Sequence, residues 1–181
     1  AIEDKDFYKH GGVSFTGILR AGLNNIFGSG DTQGASTLTQ QLIKNVFFFE
    51  DATTNRLSIS RKIKEVILSI EVERMYNKDQ ILTLYLNEVP YGGRRNGVES
   101  ASLTYFGKHT KDLNVAEAAL LAAIPKNATY YNPYTLTPDS SQELVGRQQY
   151  IIDLMRDQGY ITEEEAKVAK EYPILDSIKP E

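Results

Sequence analysis

The chain has 181 residues, enough for one domain with a sizeable core, and its 41% hydrophobic and 24% charged residues are typical of a folded globular protein. Its net charge of −4 argues against a nucleic-acid partner, and the absence of cysteine excludes a disulfide scaffold and a thiolate metal site. No apolar run approaches the roughly 20 residues that a membrane span needs. The chain opens on AIEDKDFYKHGG, without Met or a signal peptide, so we interpret it as an excised piece of a longer protein.

Helical patterns dominate the sequence, and no alternating pattern predicts a strand. Ser14 is placed to cap a first helix that stops at Gly28, and a glycine-rich loop follows. Ser36 or Thr37 is placed to cap the segment TLTQQLIKNVFF. Ser58 opens a long helix, ISRKIKEVILSIEVERMY. The apolar residues that recur in it at helical spacing are Ile59, Ile63, Val66, Ile67 and Ile70.

The second half of the sequence predicts four more helices. The first is an amphipathic segment from Lys78 to Leu86, and the third is ELVGRQQYIIDLMRDQ, which stops before Gly159. The second and fourth begin with a capping box, in which an N-cap side chain and an acid three residues later bond to each other's backbone N–H. The two pairs are Asn114 with Glu117 and Thr162 with Glu165. Pro125 ends the second helix. The predicted class is therefore mainly α.

Two adjacent acids, Glu3 and Asp4, stand near the start of the chain and are followed by Phe7 and His10. A carboxylate beside an aromatic residue suits a general acid or base. Acidic pairs are also common on solvated surfaces, and that interpretation is favoured for this segment taken alone.

Two later segments gather groups that bind anions. In GASTLTQQLIKN, Gly34 and Ser36 lie where a loop becomes a helix, and backbone N–H groups there can hold an anion. Gln40, Gln41 and Lys44 follow on neighbouring helical positions. In SRKIKEV, three cations surround one acid, which fits a phosphate site but also fits a solvated face with weak ion pairs. These four residues are Arg61, Lys62, Lys64 and Glu65.

The run VFFF at positions 46–49 is unusually apolar beside two acids. It fits either a buried core or a surface that enters lipid, and both interpretations stay open. The aromatic residues of the later segments fit core packing better than stacking on sugars. They are Tyr85, Tyr91, Tyr105 and Phe106.

Together, and in this order, the segments resemble the peptidoglycan glycosyltransferases (glycosyltransferase family 51), found in bifunctional penicillin-binding proteins and as stand-alone enzymes. The first three motifs of that family are matched by Glu3-Asp4-x-x-Phe7-x-x-His10-x-Gly12, by Gly34-x-Ser36-Thr37-x-Thr39-Gln40-Gln41-x-x-Lys44 and by Arg61-Lys62-x-x-Glu65. The later ones are matched by Tyr85-Leu86-Asn87 with Gly92, by Gly97-Val98-Glu99 and by Tyr105-Phe106-Gly107-Lys108. The loop before Arg61 is longer than usual, and Arg56 stands one position out of register with an arginine expected there.

The resemblance implies a mainly α, lysozyme-like bilobal fold within a single domain, 1–181, with a head lobe and a smaller membrane-facing jaw lobe at roughly 13–57. It implies that lipid II is polymerised into β-1,4-linked glycan with release of undecaprenyl pyrophosphate. The expected location is the outer face of the bacterial cytoplasmic membrane, with a transmembrane anchor upstream. Expected partners are lipid II, the growing glycan strand, moenomycin-type inhibitors and other cell-wall synthesis proteins, with no nucleic acid.

By position in the motifs, Glu3 takes the role of general base and Glu65 that of a second acid near the donor pyrophosphate. Glu65 is also the expected ligand of a divalent cation, Mg²⁺ or Mn²⁺. The residues expected to bind substrate are Asp4, Phe7, His10, Gly34, Ser36, Gln40, Gln41, Lys44, Arg61, Lys62 and Lys64. Because the reaction inverts the anomeric centre, the two carboxylates are expected to be well separated.

Two other functions compete with this one. A lysozyme-like hydrolase or lytic transglycosylase also uses an acid on a helical fold, but it has no need for the cations at positions 44, 61 and 64. A non-catalytic module that captures lipid-linked precursors would make Glu3 dispensable. Since Glu3 lies so near the start of the chain, this piece is itself a candidate for an inactive one.

Overall fold

A computed structural model describes residues 2–14, 36–48, 59–93 and 95–181. Much of the predicted jaw lobe lies outside these residues, as do the helix predicted after Ser14, Gly34 and Arg56. The described residues contain helices and one isolated antiparallel bridge, Pro90 with Asn96, but no strand, so the prediction of a mainly α class is confirmed. Within the same ranges, no helix is long and apolar enough to cross a bilayer.

The chain divides into two compact units, and the amino-terminal unit comprises Glu3–Glu88. Its first segment contains a short 3₁₀ helix, Phe7–Lys9. Three α-helices follow: α1 (Leu38–Phe47), α2 (Ile59–Met75) and α3 (Lys78–Glu88). Helix α1 packs against both α2 and α3. The apolar core of this unit contains Phe7, Leu38, Leu42, Ile43, Ile81 and Tyr85.

Helix α1 begins where the sequence predicts. Thr37 is the N-cap: its hydroxyl accepts from the backbone N–H of Gln40, and the Gln40 side chain accepts from the Thr37 N–H. This capping box satisfies backbone donors that the first turn of a helix leaves without partners. Of the two candidate caps, the structure therefore selects Thr37 and leaves Ser36 for another contact.

Helix α2 is confirmed, but it turns an unexpected face inward. Its buried residues are Glu65 and Ser69. The apolar residues Ile59, Ile63 and Ile67, which recur at helical spacing, are 78%, 55% and 55% exposed. The buried side of α2 is therefore its polar side, which places a carboxylate inside the unit.

The carboxy-terminal unit contains Val89–Glu181. Its α-helices are α4 (Val98–Phe106), α5 (Val115–Ala123), α6 (Pro138–Asp157) and α7 (Glu163–Glu171). Short 3₁₀ helices lie at Thr110–Asp112 and Ile124–Asn127. Helix α5 is the centre of this unit, because it packs against α4, α6 and α7 and buries most of its residues.

Most predicted boundaries in this unit are confirmed. Both predicted capping boxes form, and α5 ends at Ala123, two residues before Pro125. The predicted start of α6 was wrong, because the helix begins at Pro138 rather than at Glu143. Pro fits the first helical position, where no backbone donor is needed, and Thr137 caps the helix ahead of it.

Glu99 of α4 anchors the loop that follows the helix. One carboxylate oxygen lies 2.6 Å from His109 Nδ1, and the other accepts from the Thr110 N–H (3.0 Å) and hydroxyl (2.8 Å). The backbone hydrogen bond from Thr110 is the largest of the effects, together with the side chains of His109 and Thr110, that lower the pKa of Glu99 to about 2. The hydrogen bond to Glu99 in turn raises the pKa of His109.

Glu99→Gln is expected to destabilise the protein most near pH 5.5, where both partners are charged. A carboxyl group with a lowered pKa contributes stability that is lost as pH falls from about 4.3 towards 2. A histidine with a raised pKa contributes stability that is lost as pH rises through its folded pKa, above 6.5. Thermal unfolding midpoints at pH 3, 5.5 and 9 measure this, with Glu171→Gln, at an exposed position of α7, as control. A deficit of the same size at all three pH values would contradict the assignment.

Candidate active site

The site predicted from the sequence lies within the amino-terminal unit, and its first part is the segment before α1. Asp4 accepts hydrogen bonds at both carboxylate oxygens: His10 Nε2 lies 2.9 and 3.0 Å from them, and the Leu38 N–H donates to one at 3.1 Å. Leu38 is the first residue of α1. The carboxylate therefore ties this segment to the positive end of the helix, where an anion is stabilised.

A second contact holds the end of the same segment. The Thr37 hydroxyl donates to the Gly12 carbonyl oxygen at 2.7 Å. Gly12 has φ +84°, and a Cβ at this position would lie 2.8 Å from the backbone oxygen of Ser69 in α2. The segment therefore lies directly on both α1 and α2, and only glycine allows so close an approach.

Glu3 is partly buried beside α1. Gln41 Nε2 donates to Glu3 Oε2 at 3.4 Å, and the Tyr85 hydroxyl donates to Gln41 Oε1 at 3.3 Å. An amide whose oxygen is held by a hydroxyl presents its N–H₂ group on the other side. Tyr85 is buried, as its expected core role requires, and its hydroxyl orients the amide towards the carboxylate.

Glu65 is the buried acid of the site. Its side chain is 3% exposed, Lys62 Nζ lies 3.0 Å from Oε2, and Arg61 Nη1 lies 3.6 Å from Oε1. A carboxylate with so little exposure needs opposite charge, and the two cations supply it. Lys62 Nζ also donates to Ser36 Oγ at 2.9 Å and lies 3.5 Å from Gln40 Oε1.

These contacts bring both predicted carboxylates to the same helix. Glu3 is reached from Gln41, and the cation paired with Glu65 is reached from Gln40, the preceding residue of α1. Both predicted acids are thus linked to the first turns of α1, Glu3 directly and Glu65 through Lys62, and the separation expected for an inverting reaction stays a prediction.

The remaining predicted residues take different positions. Lys44 and Lys64 are exposed, on α1 and α2. Phe7 is buried, with Lys78 Nζ 4.4 Å from its ring centroid, so it belongs to the core beneath the site. Gly34 lies outside the described residues.

A polar cluster that the sequence motifs did not single out joins α1, α2 and α3 near the site. The Thr39 hydroxyl donates to Glu73 at 2.6 Å, and Lys78 Nζ donates to the same carboxylate at 2.8 Å. Glu73 lies eight residues after Glu65, so both share one face of α2. That polar spacing, opposite the exposed isoleucines, is the signal from which the buried face can be recognised.

The surroundings of Glu65 determine how a metal ion could bind at this site. Its Oε1 is buried and has no hydrogen-bond donor among the described residues. In the same part of the chain, no group of three or more His, Cys, Asp or Glu side chains is placed to hold a metal ion. One carboxylate oxygen is compatible with Mg²⁺ shared with substrate phosphates, but it does not make an all-protein site. The divalent cation stays a prediction.

With this geometry in place, comparisons with known proteins define the class. A family model described as Transglycosylase matches residues 1–156. Penicillin-binding protein 1F of Bacillus subtilis (strain 168) is 45% identical over 170 residues, which cover 94% of this chain and 22% of that protein. Penicillin-binding protein 1A of Streptococcus oralis is 40% identical over 179 residues, which cover 99% of this chain and 27% of that protein. The chain thus spans about a quarter of the length of these curated relatives.

A solved structure of penicillin-binding protein 1A from Haemophilus influenzae is 37% identical, with a TM-score of 0.47 over 55% of this chain and 14% of that one. The family match and the relatives place the chain in the class of enzymes that transfer glycosyl groups. The chain belongs to the transglycosylase family. At this level the predictions of an enzyme and of a peptidoglycan glycosyltransferase are confirmed.

Proposed function

We propose that the domain polymerises lipid II into β-1,4-linked glycan with inversion at the anomeric carbon and release of undecaprenyl pyrophosphate. The observation that carries this proposal is the placement of two acids beside α1, with Glu3 in contact with Gln41 and with Glu65 paired to Lys62, which lies 3.5 Å from Gln40. A neutral amide contacts the Glu3 carboxylate, and two cations neutralise the Glu65 carboxylate. The two environments suit two different roles.

Glu3 acts as the general base. The 4-hydroxyl oxygen of the acceptor sugar attacks the anomeric carbon of the donor, and the hydroxyl proton passes to the Glu3 carboxylate. The bond between that carbon and the pyrophosphate oxygen breaks, and the electron pair leaves with the pyrophosphate. Because attack comes from the face opposite the leaving group, an α-linked donor gives a β-linked product in one displacement.

The leaving pyrophosphate requires positive charge. Arg61 and Lys62 already pair with buried Glu65, which holds their stems in place, and Lys44 and Lys64 lie exposed on the neighbouring helices. Cations fixed before the reaction stabilise charge that develops on a leaving group without the cost of reorganisation. If Mg²⁺ or Mn²⁺ takes part, Glu65 Oε1 is the oxygen that would hold it, and the ion would add charge neutralisation at the pyrophosphate.

A lytic enzyme that cleaves finished glycan is the second candidate. It would use Glu3 as an acid, but the buried cluster of Glu65 with Arg61 and Lys62 would have no substrate group to serve. Incubation with lipid II and, separately, with finished glycan strands separates the two. Polymer from lipid II, blocked by moenomycin, supports the proposal, whereas release of fragments from strands with no polymer formation contradicts it.

The location proposed for this reaction is the outer face of the bacterial cytoplasmic membrane, where lipid II, the growing strand and other cell-wall synthesis proteins meet the domain. Two exposed apolar sets support a membrane contact. Val46 and Phe47 at the end of α1 are 48% and 63% exposed, and α2 exposes Ile59, Ile63 and Ile67. Lys62 and Lys64 flank the isoleucines in sequence, and a basic margin beside an apolar stripe favours anionic lipid.

Phe47→Ser combined with Ile63→Ser is expected to reduce binding to anionic vesicles several-fold, because each change removes an exposed apolar side chain. Flotation with vesicles of phosphatidylglycerol and phosphatidylcholine measures the bound fraction. Thr83→Ser is the matched control, because Thr83 is an exposed residue of α3. Unchanged flotation of the double variant would contradict the membrane contact.

A further inference from the structure

The side chains of Asp4 and His10 are almost completely enclosed by the protein. The Asp4 side chain is 6% exposed and that of His10 is 11% exposed. Asp4 receives three hydrogen-bond contacts, two from His10 Nε2 and one from the Leu38 N–H. A carboxylate so enclosed has little capacity left for a sugar hydroxyl or a phosphate.

The imidazole of His10 is held in one tautomer by the same contacts. Nε2 faces the carboxylate, so it carries the proton that is donated, while Nδ1 is buried without a hydrogen-bond partner among the described residues. Phe7 packs edge-on against the ring, with centroids 6.3 Å apart. His10 is therefore fixed by a carboxylate at one nitrogen and by an aromatic ring at its side.

The pair of Asp4 and His10 holds in place the backbone next to Glu3. Glu3 precedes Asp4, and Asp4 is bonded to the first backbone N–H of α1, the helix that also supplies Gln41 to Glu3. The backbone of Glu3 and the amide that contacts its carboxylate are thus both positioned by α1. A displacement of about 1 Å at a catalytic group can lower a rate about 100-fold.

We propose that Asp4 and His10 are positioning residues, which set the place of Glu3 relative to α1 and do not touch the substrate. This inference rests on the proposed function, because it takes Glu3 to be the general base. It assigns to these two residues a different role from the substrate contacts that the sequence motifs predict for them.

The kinetic test uses Asp4→Asn, His10→Asn and His10→Gln in the full-length protein, with lipid II as substrate. Asp4→Asn and His10→Asn are expected to lower kcat about 10- to 100-fold and to leave KM within about twofold. In His10→Gln the side-chain N–H₂ group stands near the position of Nε2, so this variant is expected to recover most of kcat. Asp6→Asn is the control, because Asp6 contacts only exposed Lys9 among the described side chains.

A second measurement separates this inference from the proposed function. Hydrogen exchange of the Leu38 N–H is expected to be faster in Asp4→Asn and His10→Asn than in the wild type, and close to the wild-type rate in His10→Gln. Hydrogen exchange needs no turnover. If the wild-type protein fails to polymerise lipid II, the proposed function is overturned, and the exchange rates still test whether Asp4 and His10 hold the first segment against α1. A tenfold rise in KM at unchanged kcat, or equal kinetics for His10→Asn and His10→Gln, would overturn the positioning role.

Discussion

Glu3→Gln is expected to lower polymerisation of lipid II by about 100- to 10,000-fold while the protein remains folded. The amide has nearly the same shape as the carboxylate but cannot accept the proton of the attacking hydroxyl, and general base catalysis contributes about 100- to 10,000-fold. Glu3 is only partly buried, so its replacement is expected to change the free energy of unfolding by less than about 1 kcal/mol. Gel electrophoresis of labelled glycan and a thermal unfolding scan measure the two quantities.

The control for this experiment is Glu71→Gln. Glu71 is an exposed acid on α2 whose described contact is Arg74, at 2.8 Å, so its replacement should leave both quantities unchanged. Binding of lipid II by the Glu3 variant should persist, because the cations around Glu65 are intact. Wild-type turnover by Glu3→Gln would remove Glu3 from the mechanism, and absence of turnover in the wild-type protein itself would favour a binding module.

Gly12→Ala is expected to cause the largest loss of stability among single changes in the first segment, about 2–5 kcal/mol. Two costs combine: a non-glycine residue at φ +84° costs roughly 1–2 kcal/mol, and the new Cβ would meet the Ser69 backbone oxygen at 2.8 Å, an overpacking of about 1–3 kcal/mol. A backbone atom cannot move aside as a flexible side chain can. For a chain of this size, the thermal midpoint should fall by about 4–20 °C.

Gly11→Ala provides a matched control one residue away. Gly11 has no positive φ, and an added Cβ there would meet nothing within 4 Å. This change should be neutral, or stabilising by up to about 1 kcal/mol, because it reduces the freedom of the unfolded chain. If the two alanine variants unfolded at the same temperature, the close approach of the first segment to α2 would be wrong.

The sequence predicts those parts of the fold that are decided within a few residues. The capping boxes at Thr37, Asn114 and Thr162 are each complete within four positions, so they are recognisable without tertiary information. The start of α6 was not predicted correctly, because the apolar pattern becomes regular only near Leu144, whereas the first turn is set by Thr137 and Pro138.

The contacts within the candidate site could not be predicted from the sequence, because they depend on tertiary structure. The motifs predict which residues gather but not which contacts they make. Asp4 and His10 pair with each other, and Thr39 reaches Glu73 from 34 positions away, because of how the first segment and α1 lie on α2. Apolar periodicity alone also predicts the wrong inward face of α2, because it favours burial of the isoleucines and not of Glu65, and only the spacing of Glu65 and Glu73 indicates the buried polar face.

The contacts of Gln40 and Gln41 link the two acids of the proposed reaction to neighbouring positions of α1. Consecutive residues of an α-helix differ by about 1.5 Å along the axis and 100° around it, and this relation is among the stiffest in a protein. In the proposed reaction, the proton acceptor and the cation paired with Glu65 would therefore be linked through one peptide unit of α1. A change in the conformation of that turn is expected to affect both sides of the proposed reaction together.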